Sequence, residues 1–325
     1  MSSKYDVVKV QVVVQDDHYY FLSRFLLSKM LMFAKVPPTT AVQISLDLKR
    51  SLVVRGKTAI SQEEMEQELY SLMAVYGFGR NNVHLFPLMK NFFAARVSLI
   101  VLLAGSLHCL KSSIAKQLAL VLNCCSLVNV ETLLGIVQTL TAFNESEGAH
   151  PASACGAERT SAENAWLARC RCVKLAVESE VDRSIAQGKS LIIEGEALNF
   201  TLYKAYLTPQ FQKDHRVIVV PLLLHRPPLQ VPTSSHSSES GVVEKASRTI
   251  MDTERLLFSA HLHQLAEHRV CVASLSKRNP ETIVADDSGA CWDISFTHPE
   301  QLPVVVSEIH DVVIDRILKV LQVSS

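Results

Sequence analysis

The sequence predicts an α/β protein in two parts. A small α+β module over residues 1–95 precedes a doubly wound α/β domain with a parallel sheet over residues 96–325. Three observations carry this. From residue 97 onward, β-rich apolar runs alternate with helical patterns, the order that builds a parallel sheet. Residues 97–104 (VSLIVLLA) are apolar almost throughout instead of at every second position. A strand covered on both faces reads that way. A turn containing glycine and lysine then joins that strand to a helix, at the end of the sheet where α/β folds place their ligands.

The first module is read from caps and breakers. Residues 7–14 are a β-branched run and predict a strand. Residues 24–34 repeat apolar side chains at helical spacing until Pro37-Pro38 stops them. Thr39 or Thr40 stands where it would cap a second helix through Leu52. Ser61 and Glu64 match a capping box. The helix they open reaches about Tyr76, where Gly77 and Gly79 end it. Residues 82–96 are again helical.

In the second part the spacing predicts strands at 127–130, 190–193, 216–224 and 270–273. It predicts helices at 112–123, 131–140, 161–187, 242–267 and 303–321. Residues 143–157 are rich in Gly, Ser, Ala and Pro and read as a loop. Residues 226–241 are polar, of low complexity, and read as a mobile loop.

Composition sets limits. At about 150 residues per domain, 325 residues agree with two domains. With 48% hydrophobic residues the chain buries a core without disulfide staples. Lys plus Arg and Asp plus Glu both number 32, so there is no basic excess to release counterions from a nucleic acid. The eight cysteines hold no C-x-x-C pair, which argues against a zinc ribbon and for reduced, buried thiols. The N-terminus lacks the apolar stretch of a secretory signal. Apolar runs such as 97–104 fall short of the ~20 residues a membrane span needs. The expectation is a cytoplasmic protein with no nucleic-acid or membrane partner.

The chemistry concentrates after residue 104. Gly105-Ser106-Leu107-His108-Cys109-Leu110-Lys111-Ser112-Ser113 follows the strand and opens a helix. A phosphate-binding loop has the form G-x-x-x-x-G-K-[ST] in that context. Gly105, Lys111 and Ser112 occupy their motif positions. Successive backbone N–H groups and a helix N-terminus make an anion nest, with Ser106 and Ser113 lining it. Lys111 would neutralise nucleotide phosphates, and the Ser112 hydroxyl would ligate Mg²⁺. Leu110 stands where the motif has its second glycine. If that position needs left-handed dihedrals, a side chain there costs about 1–2 kcal/mol.

The chain resembles the 2-phosphoglycerate kinases of archaea and their eukaryotic relatives of the low-phytic-acid type. Besides the P-loop, the resemblance rests on Lys4–Val10, His18–Ser28, Lys189–Gly195 (KSLIIEG) and Ser247-Arg248-Thr249-Ile250 in family order. It implies an ATP-cone-like module first and a P-loop domain of the nucleoside-monophosphate-kinase type second. It implies ATP- and Mg²⁺-dependent phosphoryl transfer to a small acidic, phosphorylated or polyol acceptor. By position, Lys111 and Ser112 would hold phosphates and Mg²⁺. Glu131, placed at the end of the second sheet strand, matches the family's Asp of a T-D pair and would position metal or acceptor. Glu194 would face the ligand crevice or anchor a loop. Arg248 would reach the transferring phosphate or form an ion pair.

Four positions depart from the family pattern: Leu110 for glycine, Glu131 for aspartate, Gln138 for arginine and Ala197 for histidine. They touch nucleotide, metal and acceptor together, while the core pattern is intact. Two expectations stay open: a kinase with reduced or lost transfer, or a non-catalytic subunit that serves protein partners.

Overall fold

Continuous apolar runs end up in the middle of a parallel sheet, and amphipathic runs end up covering it. The structure is a computed structural model that describes residues 7–15, 18–105, 109–123, 126–146, 162–225, 272–274, 291–295 and 299–323. Contacts divide the chain into two compact units: Met1–Arg96 with Leu120–Asn123, and Val97–Ala119 with Cys124–Ser325.

In the first unit, β1 (Gln11–Gln15) and β2 (His18–Phe21) form an antiparallel hairpin, and β3 (Ala59–Ser61) pairs parallel to β1. Around them lie α1 (Arg24–Phe33), α2 (Pro38–Val54), α3 (Gln62–Val75) and α4 (Arg80–Ala94). The strand expected at 7–14 begins only at Gln11. Ser23 caps α1 by accepting the Leu26 amide. The expected Thr39 or Thr40 cap of α2 is not what forms. Pro38 takes the first helical position, where a missing N–H costs nothing. Ser61 caps α3 by accepting the Glu64 amide at 3.1 Å, and the Glu64 carboxylate pairs with Lys57. Leu27 and Leu31, then Ala41, Ile44, Leu48 and Leu52, then Met65, Leu69 and Met73 recur at helical spacing and fill one core.

The second unit holds β4 (Ser98–Gly105), α5 (Lys111–Val121) up to Ala119, β5 (Ser126–Asn129), α6 (Val130–Ser146), α7 (Ala162–Gln187) and β6 (Leu191–Gly195). It continues with α8 (Lys204–Leu207), α9 (Pro209–His215), β7 (Val217–His225), β8 (Val272–Ser274), β9 (Cys291–Ser295) and α10 (Leu302–Val323). The strand order is β5-β6-β4-β7-β9-β8, and every pairing is parallel. All eight residues of β4 are buried, because β6 and β7 flank it and both its faces are covered. Ile100, Leu102 and Ala104 pack with Val130 and Leu134 of α6 and with Val173, Val177 and Val181 of α7. Leu99, Val101 and Leu103 alternate onto the other face and are buried as well. α10 is buried along Val305, Ile309, Val313 and Ile317 and packs against β7.

Among the described residues, no helix is long and apolar enough to cross a membrane. Cys109 and Cys170 are buried, as expected of core cysteines, but Cys172 is exposed. The expected loop at 226–241 and helix at 242–267 lie outside the described residues.

Parallel pairing brings the carboxyl ends of the strands to one edge. Asn129 sits beside Glu194, Ala104 beside Gly195, and Gly105 beside Leu224. After β4 the chain moves to one side of the sheet, and after β6 it returns to the other side of β4. An α/β sheet leaves a ligand crevice at such a reversal.

Candidate nucleotide and metal site

Gly105 ends β4 because nothing larger fits there. A Cβ at this position would lie 2.4 Å from the Leu224 carbonyl oxygen and 2.8 Å from Cys109 Sγ. The chain re-emerges at the buried Cys109 and at Leu110, whose carbonyl accepts the Ile114 amide at 3.0 Å and so opens α5. Leu110 has φ +56°, in the left-handed region that favours glycine. The backbone thus keeps the conformation of a glycine at the motif's second glycine position, although a leucine occupies it. Lys111 Nζ donates to Cys109 Sγ at 3.9 Å, and Ser113 is exposed on the first turn of α5.

Ser112, Asn129 and Glu194 come together from three elements. The Ser112 hydroxyl donates to Glu194 Oε1 at 2.8 Å, and Asn129 Nδ2 donates to the same oxygen at 2.6 Å. Asn129 also caps α6, its Oδ1 accepting the Thr132 amide at 2.8 Å and the Thr132 hydroxyl at 3.0 Å. Glu194 is 3% exposed. Its Oε2 is buried and has no hydrogen-bond partner among the described residues. A bare buried carboxylate oxygen costs free energy unless something positive meets it. The oxygens there are the Ser112 hydroxyl and the Glu194 carboxylate, hard donors of the kind Mg²⁺ takes, while Asn129 turns its amide nitrogen toward Glu194. The residues therefore fit Mg²⁺. Leu110 holds the left-handed backbone expected of the motif's second glycine and differs from it by its side chain.

The sequence placed Glu131 at the end of the second sheet strand. That strand ends at Asn129, and Glu131 lies in the first turn of α6. Its Oε1 accepts the backbone amide of Glu196, which follows β6. Ser106 and Arg248 lie outside the described residues. Ala197 is buried, and Gln138 is exposed on α6. Asn129 was missed from sequence, although an Asn directly ahead of a helical run with an acidic residue in its first turn is a helix-start signal. Also missed were Arg169 and Glu196, which pair at 3.1 Å, and the polar role of Trp166, whose Nε1 donates to the Glu196 carbonyl at 2.8 Å.

No family model matches the chain. It is 25% identical over 187 residues to a 2-phosphoglycerate kinase of Pyrococcus furiosus, covering 53% of this chain and 59% of that protein. A 2-phosphoglycerate kinase of Pyrococcus horikoshii is 24% identical, over 53% of this chain and 60% of its own length. The chain is distantly similar to 2-phosphoglycerate kinases. A third, from Thermococcus kodakarensis, is 21% identical over 206 residues, covering 61% and 69%. The alignments thus span about three-fifths of the length of the two Pyrococcus relatives. A solved gluconokinase of Sinorhizobium meliloti 1021 aligns over 69% of this chain and 96% of its own at 11% identity. Its TM-score is 0.29, too low to carry weight.

Proposed function

We propose that this chain is a P-loop kinase-like protein of the 2-phosphoglycerate-kinase kind. In this reading it binds a magnesium-chelated nucleotide at the carboxyl edge of its parallel sheet and transfers phosphoryl groups slowly to a small acidic or polyol acceptor. The observation that carries it is the Ser112–Glu194 hydrogen bond of 2.8 Å beside a buried carboxylate oxygen with no partner among the described residues. It lies where the strand-loop-helix turn would present phosphates.

Lys111 supplies positive charge to the nucleotide phosphates. Ser112 and Glu194 hold Mg²⁺, with Asn129 fixing the carboxylate. Bound Mg²⁺ supplies charge neutralisation at the phosphates. Arg248 belongs to the transferring phosphate. Leu110 reduces affinity, and Gln138 and Ala197 leave the acceptor side without the family's arginine and histidine. Residues 1–95 serve as an ATP-cone-like module ahead of the kinase-like domain at 96–325, and the protein is cytoplasmic and of the low-phytic-acid type. The relatives' name makes 2-phosphoglycerate the first acceptor to try, with an inositol-type polyol second. Leu110 also favours a second reading, a pseudokinase that retains nucleotide and serves as an interaction subunit.

Calorimetric titration of the full chain with ATP and ADP, with and without Mg²⁺, tests the proposal. Binding is expected to need Mg²⁺ and to be lost in Lys111→Ala and Glu194→Gln. A wild-type chain that binds neither nucleotide overturns it. Binding with no ATP consumption alongside either acceptor selects the pseudokinase.

A further inference from the structure

Every polar group of Glu196 is engaged. Its amide donates to Glu131 Oε1, its carbonyl accepts from Trp166 Nε1 at 2.8 Å, and its carboxylate meets Arg169 at 3.1 Å. The partners come from α6 and α7, two helices that cover the same face of the sheet. One residue earlier, Gly195 presses on α6. A Cβ there would lie 2.5 Å from Val130 Cβ and 3.1 Å from Glu131 Oε1. The peptide that leaves Glu194 is therefore gripped on its amide, its carbonyl and its side chain. A metal-holding carboxylate needs that control, because Ser112 and Asn129 restrain only one of its oxygens.

We infer that Glu131, Trp166 and Arg169 are positioning residues that act through the Glu196 peptide to hold Glu194 Oε2 in place for a divalent cation. The inference rests on the reading of Glu194 as the metal-holding carboxylate. It gives Glu131 a different task from that of a metal ligand: its oxygen serves a backbone amide. Trp166 is 2% exposed, so its indole N–H meets the Glu196 carbonyl away from water. The Arg169–Glu196 pair is weaker, because the Arg169 side chain is 42% exposed.

Mn²⁺ binding to the full chain, read from the loss of the free-ion electron paramagnetic resonance signal with and without ADP, tests this. Trp166→Phe keeps an aromatic ring and removes the donor. It is expected to weaken Mn²⁺ binding about tenfold or more, while a single cooperative urea transition shows that the variant still folds. Glu131→Gln keeps an oxygen for the Glu196 amide and is expected to bind Mn²⁺ like wild type, whereas Glu131→Ala does not. Arg169→Lys should recover part of what Arg169→Ala loses. If Glu131→Gln loses as much Mn²⁺ affinity as Glu131→Ala, Glu131 is itself a ligand and the inference fails. It also fails if Trp166→Phe matches wild type in a protein that needs Glu194. Glu194→Gln is the control for the underlying reading. Unchanged Mn²⁺ binding in that variant, or no Mn²⁺ binding by wild type, overturns both.

Discussion

Leu110, at φ +56°, places a branched side chain on a backbone conformation that glycine adopts freely. Holding a leucine there costs about 1–2 kcal/mol. Leu110→Gly removes that strain but adds about 0.4–1 kcal/mol of unfolded-chain freedom. The second term offsets about half of the first, so the urea midpoint should rise by no more than about 1.6 kcal/mol equivalent. Nucleotide affinity has no such offset. In the proposed site, removing the isobutyl group should tighten Mg-ADP binding about tenfold, or 1.4 kcal/mol, measured by calorimetry. Unchanged affinity would mean that the leucine leaves the phosphate position open. At this scale the sequence nominated Lys111 and Ser112 because the motif that suggests them is local. The contacts of Asn129 and Glu196 could not be read there, because each depends on a partner 65 residues away in the chain. Glu131 was found for its carboxylate, but that carboxylate meets a backbone amide.

Among the elements, legibility followed the length of the apolar run. β4, β6 and β7 are buried centrally and declare themselves as β-branched and leucine-rich stretches, with Pro221 inside β7. β2 has four residues, all exposed, and β3 has three. Their hydrogen bonds come from β1, not from a pattern of their own, so no periodicity marks them. The start of α2 misled for another reason: threonine is the better cap in isolation, but Pro38 already has a helical φ. The junction of β6 with α6 tests how tightly elements set one another. Gly195→Ala would force a Cβ to 2.5 Å from Val130 Cβ. Overpacking of that kind costs about 1–3 kcal/mol. Urea denaturation should show that loss, and pairing it with Val130→Gly, which removes that Cβ, should cost less than the sum of the two single variants. Strict additivity would mean the two residues do not press on each other.

For the molecule as a whole, α/β architecture was legible from the alternation of strands and helices, but the price of its core chemistry was not. The core that α6 and α7 share with the sheet encloses Cys170 and Tyr203, with Tyr206 at its margin. Burial pushes the Cys170 thiol from 9.0 up to about 12 and raises both tyrosines above their usual 10.0. Burial is the leading cause for Tyr206 as well, helped by its hydrogen bond to Asp182 at 3.1 Å. The folded chain therefore keeps protons that the unfolded chain releases. Above pH 9 the unfolded state binds fewer protons than the native state, so stability falls as pH rises, first through Cys170 and from pH 10 also through the tyrosines. The slope is about 1.4 kcal/mol per pH unit for each group ionised only when unfolded. Tyr203 adds a second cost, because its hydroxyl is buried with no hydrogen-bond partner among the described residues. Tyr203→Phe removes both the stranded hydroxyl and its titration. The variant should be more stable than wild type by about 1 kcal/mol at pH 7. Its advantage should widen between pH 10 and 11, measured as urea midpoints at each pH. An advantage that stays constant with pH would show that the Tyr203 proton is released equally in both states, and a loss at pH 7 would show that the hydroxyl has a partner in solution.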